Sequence, residues 1–237
     1  MTELLFRDDA YLRETRATVV AIEGDGGLIL DRTPFYPQGG GQPGDSGHLD
    51  AQDGREAAIE TTRYGADRTK VIHVPTTGGP ALKVGDEVKA VLAWPIRFDR
   101  MRVHTALHLL TAVLPYPVTG GAIGEGNGRL DFDMPEGAMD RETIEAKLNE
   151  LIASDAPVGT RWITDDELLA NPGLVKTMSV KPPMGSGRVR LVEIAGIDLQ
   201  PCGGTHVART SEIGRARITG IEKKGRQNRR VRLALDR

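Results

Sequence analysis

The sequence predicts an α+β protein: a small N-terminal β-barrel over residues 1–94, then a two-layer α/β domain over 95–237 with helices on one face of an antiparallel sheet. Three observations predict it. Short apolar segments separated by Gly- and Pro-containing turns fill the first 94 residues, a pattern that a small barrel satisfies. Trp94-Pro95 then marks a change of regime into the amphipathic stretch RFDRMRVHTALHLLTAVL, where Met101, Leu107, Leu110 and Leu114 recur at helical spacing. Beyond it, helical and alternating strand patterns succeed one another, the order expected when helices cover one face of a sheet.

Taken in order, Ala17 to Ile22 is a short apolar run, and Gly26-Gly27 makes a turn before LIL. The next stretch, TPFYPQGGGQPGDSGHL, is too rich in Gly and Pro for a helix or a central strand. Its glycines suit either tight turns at a barrel edge or a close backbone approach to a ligand. Within it, Gly40-Gly41-Gln42 matches the GGQ tip of peptide release factors, a three-residue match without any other release-factor feature. Segments 56–63, 70–74 and 87–93 have strand composition, which makes about six short strands in all. Pro95 starts the central helix, because its missing N–H would have no partner there. PYPVTGGAIGEGNG reads as a loop or hairpin and GRLDFDM as a strand, with Leu130 and Phe132 inward and Arg129, Asp131 and Asp133 outward. Asp140 caps a helix to Ser154 whose apolar side carries Ile144, Leu148, Leu151 and Ile152. Strands follow at 158–163 and 187–194, separated by a short helix near 165–170 and the loop KPPMGSG; Ser211–Ile221 and Arg229–Leu235 read as the last strands.

Composition sets bounds on function. At 237 residues, 39% hydrophobic and 27% charged, the chain has room for two ordinary globular domains. No apolar run approaches a membrane span, and the acidic start TELLFRDD does not read as a signal peptide, so no membrane partner is expected. A single cysteine forbids an internal disulfide and suits a reducing, cytoplasmic location. The net charge of -2 does not suggest nucleic acid, but residues 215–237 hold nine Lys or Arg against Glu222 and Asp236. Such a run is either a solvated face or a basic stripe for RNA, with Arg226, Arg229 and Arg230 as its phosphate contacts.

The chemistry concentrates in two pairs. His104 and His108 lie four apart on the central helix, and their imidazoles project from one face. Cys202 and His206 are also four apart, in PCGGTH. Of the chain's six soft ligands, five histidines and one cysteine, four therefore fall into these pairs, and thiolate with imidazole selects Zn2+. The histidine pair lacks the Glu of H-E-x-x-H, so a metalloprotease has no general base here. Four protein ligands close a tetrahedron, as in structural zinc, whereas catalytic zinc keeps one position open; spacing leaves both possible.

RMRVHTALHLL, RLDFDMP and PCGGTHVARTSEIGRARITGIEKKG, in that order, resemble the editing domain shared by alanyl-tRNA synthetases and the free-standing alanyl-tRNA editing proteins of the AlaX family. The glycine-rich run resembles the corresponding segment of the longer AlaX proteins, and the likeness covers the chain from about residue 16 onward. It implies a zinc-binding trans-editing hydrolase that cleaves the aminoacyl ester of tRNA(Ala) mischarged with Ser or Gly. A synthetase site built for alanine cannot easily exclude glycine, which is smaller, or serine, which only adds a hydroxyl, so a second site must hydrolyse those products. Alignment with the family makes Thr105 and Thr119 candidates for the serine pocket, although Gly120-Gly121 stands where the family often has a polar side chain. Gly203 and Gly204 are either backbone donors to the oxyanion or turn formers, and Asp131 either orients water or is a surface carboxylate. Two alternatives accompany this reading: editing of Ser-tRNA(Thr), whose synthetase shares both ligand pairs, and a non-catalytic zinc-stabilised RNA-binding module. Aminoacylation itself is excluded, since no ATP-binding motif is present and no room remains for a synthetase core.

Overall fold

In a computed structural model, which describes residues 1–77, 81–135, 140–178 and 187–236, the chain divides into two compact units, Met1–Phe98 and Asp99–Arg237. The first holds β1 (Glu3–Leu4), β2 (Glu14–Ile22), β3 (Leu28–Leu30), β4 (Arg32–Thr33), β5 (Gly47–Ala51), β6 (Glu56–Tyr64), β7 (Val71–Pro75) and β8 (Glu87–Leu92). Six of them close a barrel in the order β2-β3-β7-β6-β5-β8, each neighbouring pair antiparallel. Alternation drives closure: one face of β2, β3, β5 and β6 carries Val19, Leu30, Leu49 and Ile59, and that of β8 carries Val88 and Ala90, into a single core around Phe35, and closure leaves no unpaired edge.

The glycine-rich segment contains turns, as its composition predicts, but it ends in a strand, because Gly47 already pairs with Ile59 and Leu92. Gly39 and Gln42 exchange backbone hydrogen bonds around Gly40 and Gly41, both at positive φ (57° and 83°), the geometry of a tight hairpin turn. Gln42 itself is buried. Farther on, a Cβ at Gly44 would lie 1.9 Å from the Thr62 carbonyl oxygen, so no other residue fits against β6 there. Arg97 holds the segment in place. Its guanidinium, 1% exposed, donates to the Asp45 carboxylate (Nε, 2.8 Å) and to the carbonyls of Pro34 (2.7 Å) and Ala10 (3.1 Å), while Asp45 also accepts from Tyr36 N.

Arg97 lies in the first turns of α1 (Trp94–Val113), and the division between the units falls inside this helix. The second unit continues with β9 (Val118–Ile123), β10 (Asn127–Asp133), α2 (Arg141–Ala153), β11 (Val158–Thr164), α3 (Asp165–Ala170), β12 (Arg188–Ile194), β13 (Asp198–Pro201), β14 (Ala216–Lys223) and β15 (Asn228–Leu235). Its antiparallel strands form two sheets, β14-β15-β10-β9 and β11-β12-β13. Val103 and Leu107 of α1 press on the first sheet at Gly128, where an added Cβ would meet Val103 Cγ1 at 2.7 Å. Asp140 caps α2 by accepting from Thr143 N, and Ile144, Leu148 and Ile152 face inward. Side chains of α2 also close the β14 edge: Asn149 bonds Ala216 N and O, and Glu145 accepts from Ile218 N.

Two local expectations change. The strand expected from Ser211 begins only at Ala216, because Thr210–Ile213 is a 3₁₀ turn pinned by Thr210 Oγ1 to the Ile152 carbonyl. β13 had too little length and too much polarity to be read as a strand. The loop KPPMGSG lies, apart from Gly187, outside the described residues. No helix among the described residues is long and apolar enough to cross a membrane.

Candidate metal centre and its surroundings

One turn of α1 separates His104 from His108, and their ring centroids stand 5.1 Å apart. β13 feeds the turn that presents Cys202 and His206 to them across 98 residues of chain. The four ligand atoms all lie within 4.8 Å of one another, and all three imidazoles are buried. Cys202 Sγ is 3.5 Å from His104 Nε2 and 3.3 Å from His206 Nε2. Ligands at the usual zinc bond lengths in a tetrahedron would stand roughly 3.5 Å apart for a sulfur–nitrogen pair. The donor set and its spacing therefore fit a tetrahedral metal ion.

His108, His206 and Cys202 are each backed by a group that sets the ligand's orientation. His108 Nδ1 faces Asp198 Oδ2 at 3.1 Å, which turns Nε2 toward the cluster. Asp198 is itself held by Gln200 Nε2 (2.8 Å) and by the Lys176 ammonium, and Gln200 also reaches Thr111 Oγ1 (3.3 Å). His206 Nδ1 lies 3.1 Å from Thr105 Oγ1, which accepts from Val207 N and donates to the Met101 carbonyl. The Gly204 amide points at Cys202 Sγ (3.4 Å), and Arg190 Nη1 holds the turn by donating to the carbonyls of Cys202 (2.9 Å) and Gly204 (3.0 Å).

The electrostatics suit a thiolate among imidazoles. Burial pushes the Cys202 thiol up, but His104 and His206 outweigh it and hold the group well below its usual range. Burial, reinforced by His104, keeps His206 well below the ordinary histidine value, so its imidazole is neutral. At His108 burial pulls downward, yet the hydrogen bonds to Asp198 and Cys202 prevail and raise it to about 9. Asp198 is held at about 2, its burial overcome by His108 and Lys176.

Of the other residues singled out in the sequence, Thr105 lies beside the cluster as the partner of His206. Gly203 is exposed with open space around it, whereas the Gly204 N–H is already committed to sulfur. Thr119 and Asp131 sit together at the β9–β10 bulge: Thr119 Oγ1 donates to the Asp131 carbonyl and accepts from Asn228. Asp131 alternates with Leu130 and Phe132, so it faces away from α1, and both its oxygens take hydrogen bonds from Arg230 (2.7 and 2.9 Å). Hydrogen bonds from Arg230 and then Arg129 hold its carboxyl below the usual range, although burial pushes the other way. Arg226 is exposed, but Arg229 is 5% exposed and donates to the carbonyls of Gly225 and Asn228. Arg232 and Lys224 pair with Glu222, so the basic run is partly neutralised within its own sheet.

Sequence reasoning missed Asp198, Gln200, Lys176 and Arg190. A signal existed for two of them: in IDLQPC, Asp198, Gln200 and Cys202 share the period of two that puts them on one face of a strand.

Comparison with known proteins agrees with this geometry. Residues 189–232 match the family model for the threonyl and alanyl tRNA synthetase second additional domain, and residues 9–96 match that for tRNA synthetases class II (A). The chain is 36% identical to the alanyl-tRNA editing protein AlaX-M of Methanosarcina mazei, covering 99% of this chain and 97% of that protein. It is 35% identical to AlaX-M of Saccharolobus solfataricus over 98% of each. The alanine–tRNA ligase of Methanothermobacter thermautotrophicus is 34% identical over 94% of this chain and 25% of that protein.

Proposed function

Because this chain belongs to the AlaX family of alanyl-tRNA editing proteins, we propose that it is a zinc-binding aminoacyl-tRNA deacylase acting on tRNA(Ala) mischarged with serine, and also with glycine, in the cytoplasm. The observation that carries this reading is the cluster of His104, His108, Cys202 and His206. Residues 95–237 are the editing domain in this proposal, and residues 1–94 its barrel partner. Bound zinc supplies a Lewis acid that can lower the pKa of water toward 7 or grip a substrate hydroxyl or amine.

The chain's own groups have distinct parts in the reaction. Water adds to the ester carbonyl, the bond to the ribose oxygen breaks, and amino acid and tRNA with a free hydroxyl leave. Gly203, exposed beside two ligands, offers its N–H to the developing oxyanion, a role Gly204 cannot share while bonded to sulfur. Thr105 keeps the neutral His206 ring in its ligating orientation rather than contacting substrate directly. Arg226, the exposed member of the C-terminal arginines, contributes to tRNA phosphate binding.

The test is deacylation of Ser-, Gly- and Ala-tRNA(Ala) and of Ser-tRNA(Thr) by pure protein, together with metal analysis. Ser-tRNA(Ala) is expected to be hydrolysed faster than Ala-tRNA(Ala), by as much as roughly 10⁴-fold, because a site built around a hydroxyl rejects the analogue lacking it. Comparable rates for the two would overturn the proposal, since such an enzyme would destroy the correct product. Preference for Ser-tRNA(Thr) would reassign the tRNA, and less than about half a zinc per chain would remove the metal. A second reading, a zinc-stabilised RNA-binding module without chemistry, is favoured by the closed set of four protein ligands. Binding of tRNA without deacylation would select it.

A further inference from the structure

β11 is an edge strand, and its middle residues Gly159, Thr160, Arg161 and Trp162 are exposed. Trp162, 39% exposed, carries the Arg188 guanidinium over its ring at 4.6 Å from the centroid. The register of the three-stranded sheet fixes where this pair stands. Trp162 lies opposite Arg190 on β12, and Arg190 O in turn accepts from Cys202 N at the end of β13. Residues directly opposite in antiparallel strands share a face, so Trp162, Arg190 and Cys202 form one row across the sheet. At the usual strand spacing that row spans roughly 10 Å, about the length of one aminoacylated nucleoside. Arg190 fills its middle by holding the Cys202 and Gly204 carbonyls. Among the described residues, the charged neighbours of Trp162 on this face of the sheet are Arg188 and Arg190, while Glu193 alternates to the other face, where it pairs with Arg161.

A large aromatic ring at the rim of a site, flanked by guanidinium groups, suits the unpaired end of a nucleic acid, whose bases stack on aromatic and arginine planes. We infer that Trp162 and Arg188 form a stacking platform for the terminal base of the unpaired tRNA 3′ end, setting the ester at the histidine–cysteine cluster. This rests on the proposal that the substrate is an aminoacyl-tRNA.

Trp162→Ala, Trp162→Phe and Arg188→Ala test it in the full-length protein, read as KM and kcat on Ser-tRNA(Ala) and as binding of unacylated tRNA(Ala) with and without its last nucleotide. Loss of one stacked base is expected to raise KM and weaken binding roughly 5- to 150-fold in Trp162→Ala, with kcat and zinc content retained. Trp162→Phe should keep most of the affinity, and Arg188→Ala should lie between. Removing the last nucleotide should abolish the difference between wild type and Trp162→Ala. Wild-type binding by Trp162→Ala would overturn the platform, as would an equal loss on the truncated tRNA or a loss accompanied by a lower Tm. Failure of the deacylase reading shows separately, as wild-type protein that leaves Ser-tRNA(Ala) intact; the two-tRNA binding comparison still decides the platform.

Discussion

His73 in the barrel unit and His108 in the second unit are both buried, yet their surroundings drive them in opposite directions. His73 touches the Thr33 hydroxyl (2.8 Å), the Leu28 carbonyl (3.1 Å) and the edge of Phe35. Its partners carry no charge, so burial prevails and pulls its pKa down to about 4. His108 faces the Asp198 carboxylate and the Cys202 sulfur, which raise it to about 9 despite burial. Burial alone therefore makes a neutral, structural histidine. A histidine is poised to exchange a proton for a metal ion when an anion stands behind one nitrogen and other ligands converge on the second.

The largest expected effect comes from breaking the convergence. Cys202→Ala should lower zinc affinity by more than about 100-fold, beyond the loss from supporting groups, as measured by chelator competition. An affinity within tenfold of wild type would show that the cluster does not act as one site.

The barrel histidine gives the next effect, through pH. Its folded-state pKa lies below its unfolded value of about 6.5, so the unfolded chain binds the extra proton between the two. The stabilisation is present above about pH 6.5 and is lost as pH falls toward 4, amounting to about 3 kcal/mol. His73→Gln should remove that slope in denaturant titrations, and metal loss at low pH is common to both proteins. Identical slopes for wild type and variant would show that His73 is not held neutral.

The smallest effect sharpens the contrast most. Asp198→Asn keeps the shape behind His108 and removes its charge; zinc affinity should fall about 10- to 100-fold. Thr33→Val, which removes the hydroxyl beside His73, should leave metal binding unchanged. Equal metal affinity in Asp198→Asn and wild type would mean that the carboxylate does not tune the centre.

What the sequence disclosed follows from how far each feature reaches along the chain. The helix carrying His104 and His108, the Asp140 cap and the Gly40-Gly41 turn depend on neighbours within four residues, and their patterns were legible. Asp198 behind His108 spans 90 residues, and Arg97 with Asp45 spans 52; such pairings follow from strand register and packing, which no local pattern encodes. The C-terminal basic run shows the same limit from the other side. Its charges sum to a stripe in one dimension, but β15 lies between β10 and β14, whose Asp131 and Glu222 meet Arg230 and Arg232.

The 98 residues between His104 and Cys202 also have a meaning in time. At about 5–20 residues per second, a ribosome needs roughly 5 to 20 s to make the cysteine turn after the histidine helix has emerged. During that interval the nascent chain holds two of the cluster's imidazoles, half of a tetrahedral donor set, which would grip a metal only weakly. Under the proposed zinc site, capture would thus be a late event in the birth of the molecule, completed only when the β13 turn arrives and closes the long loop between the two ligand pairs.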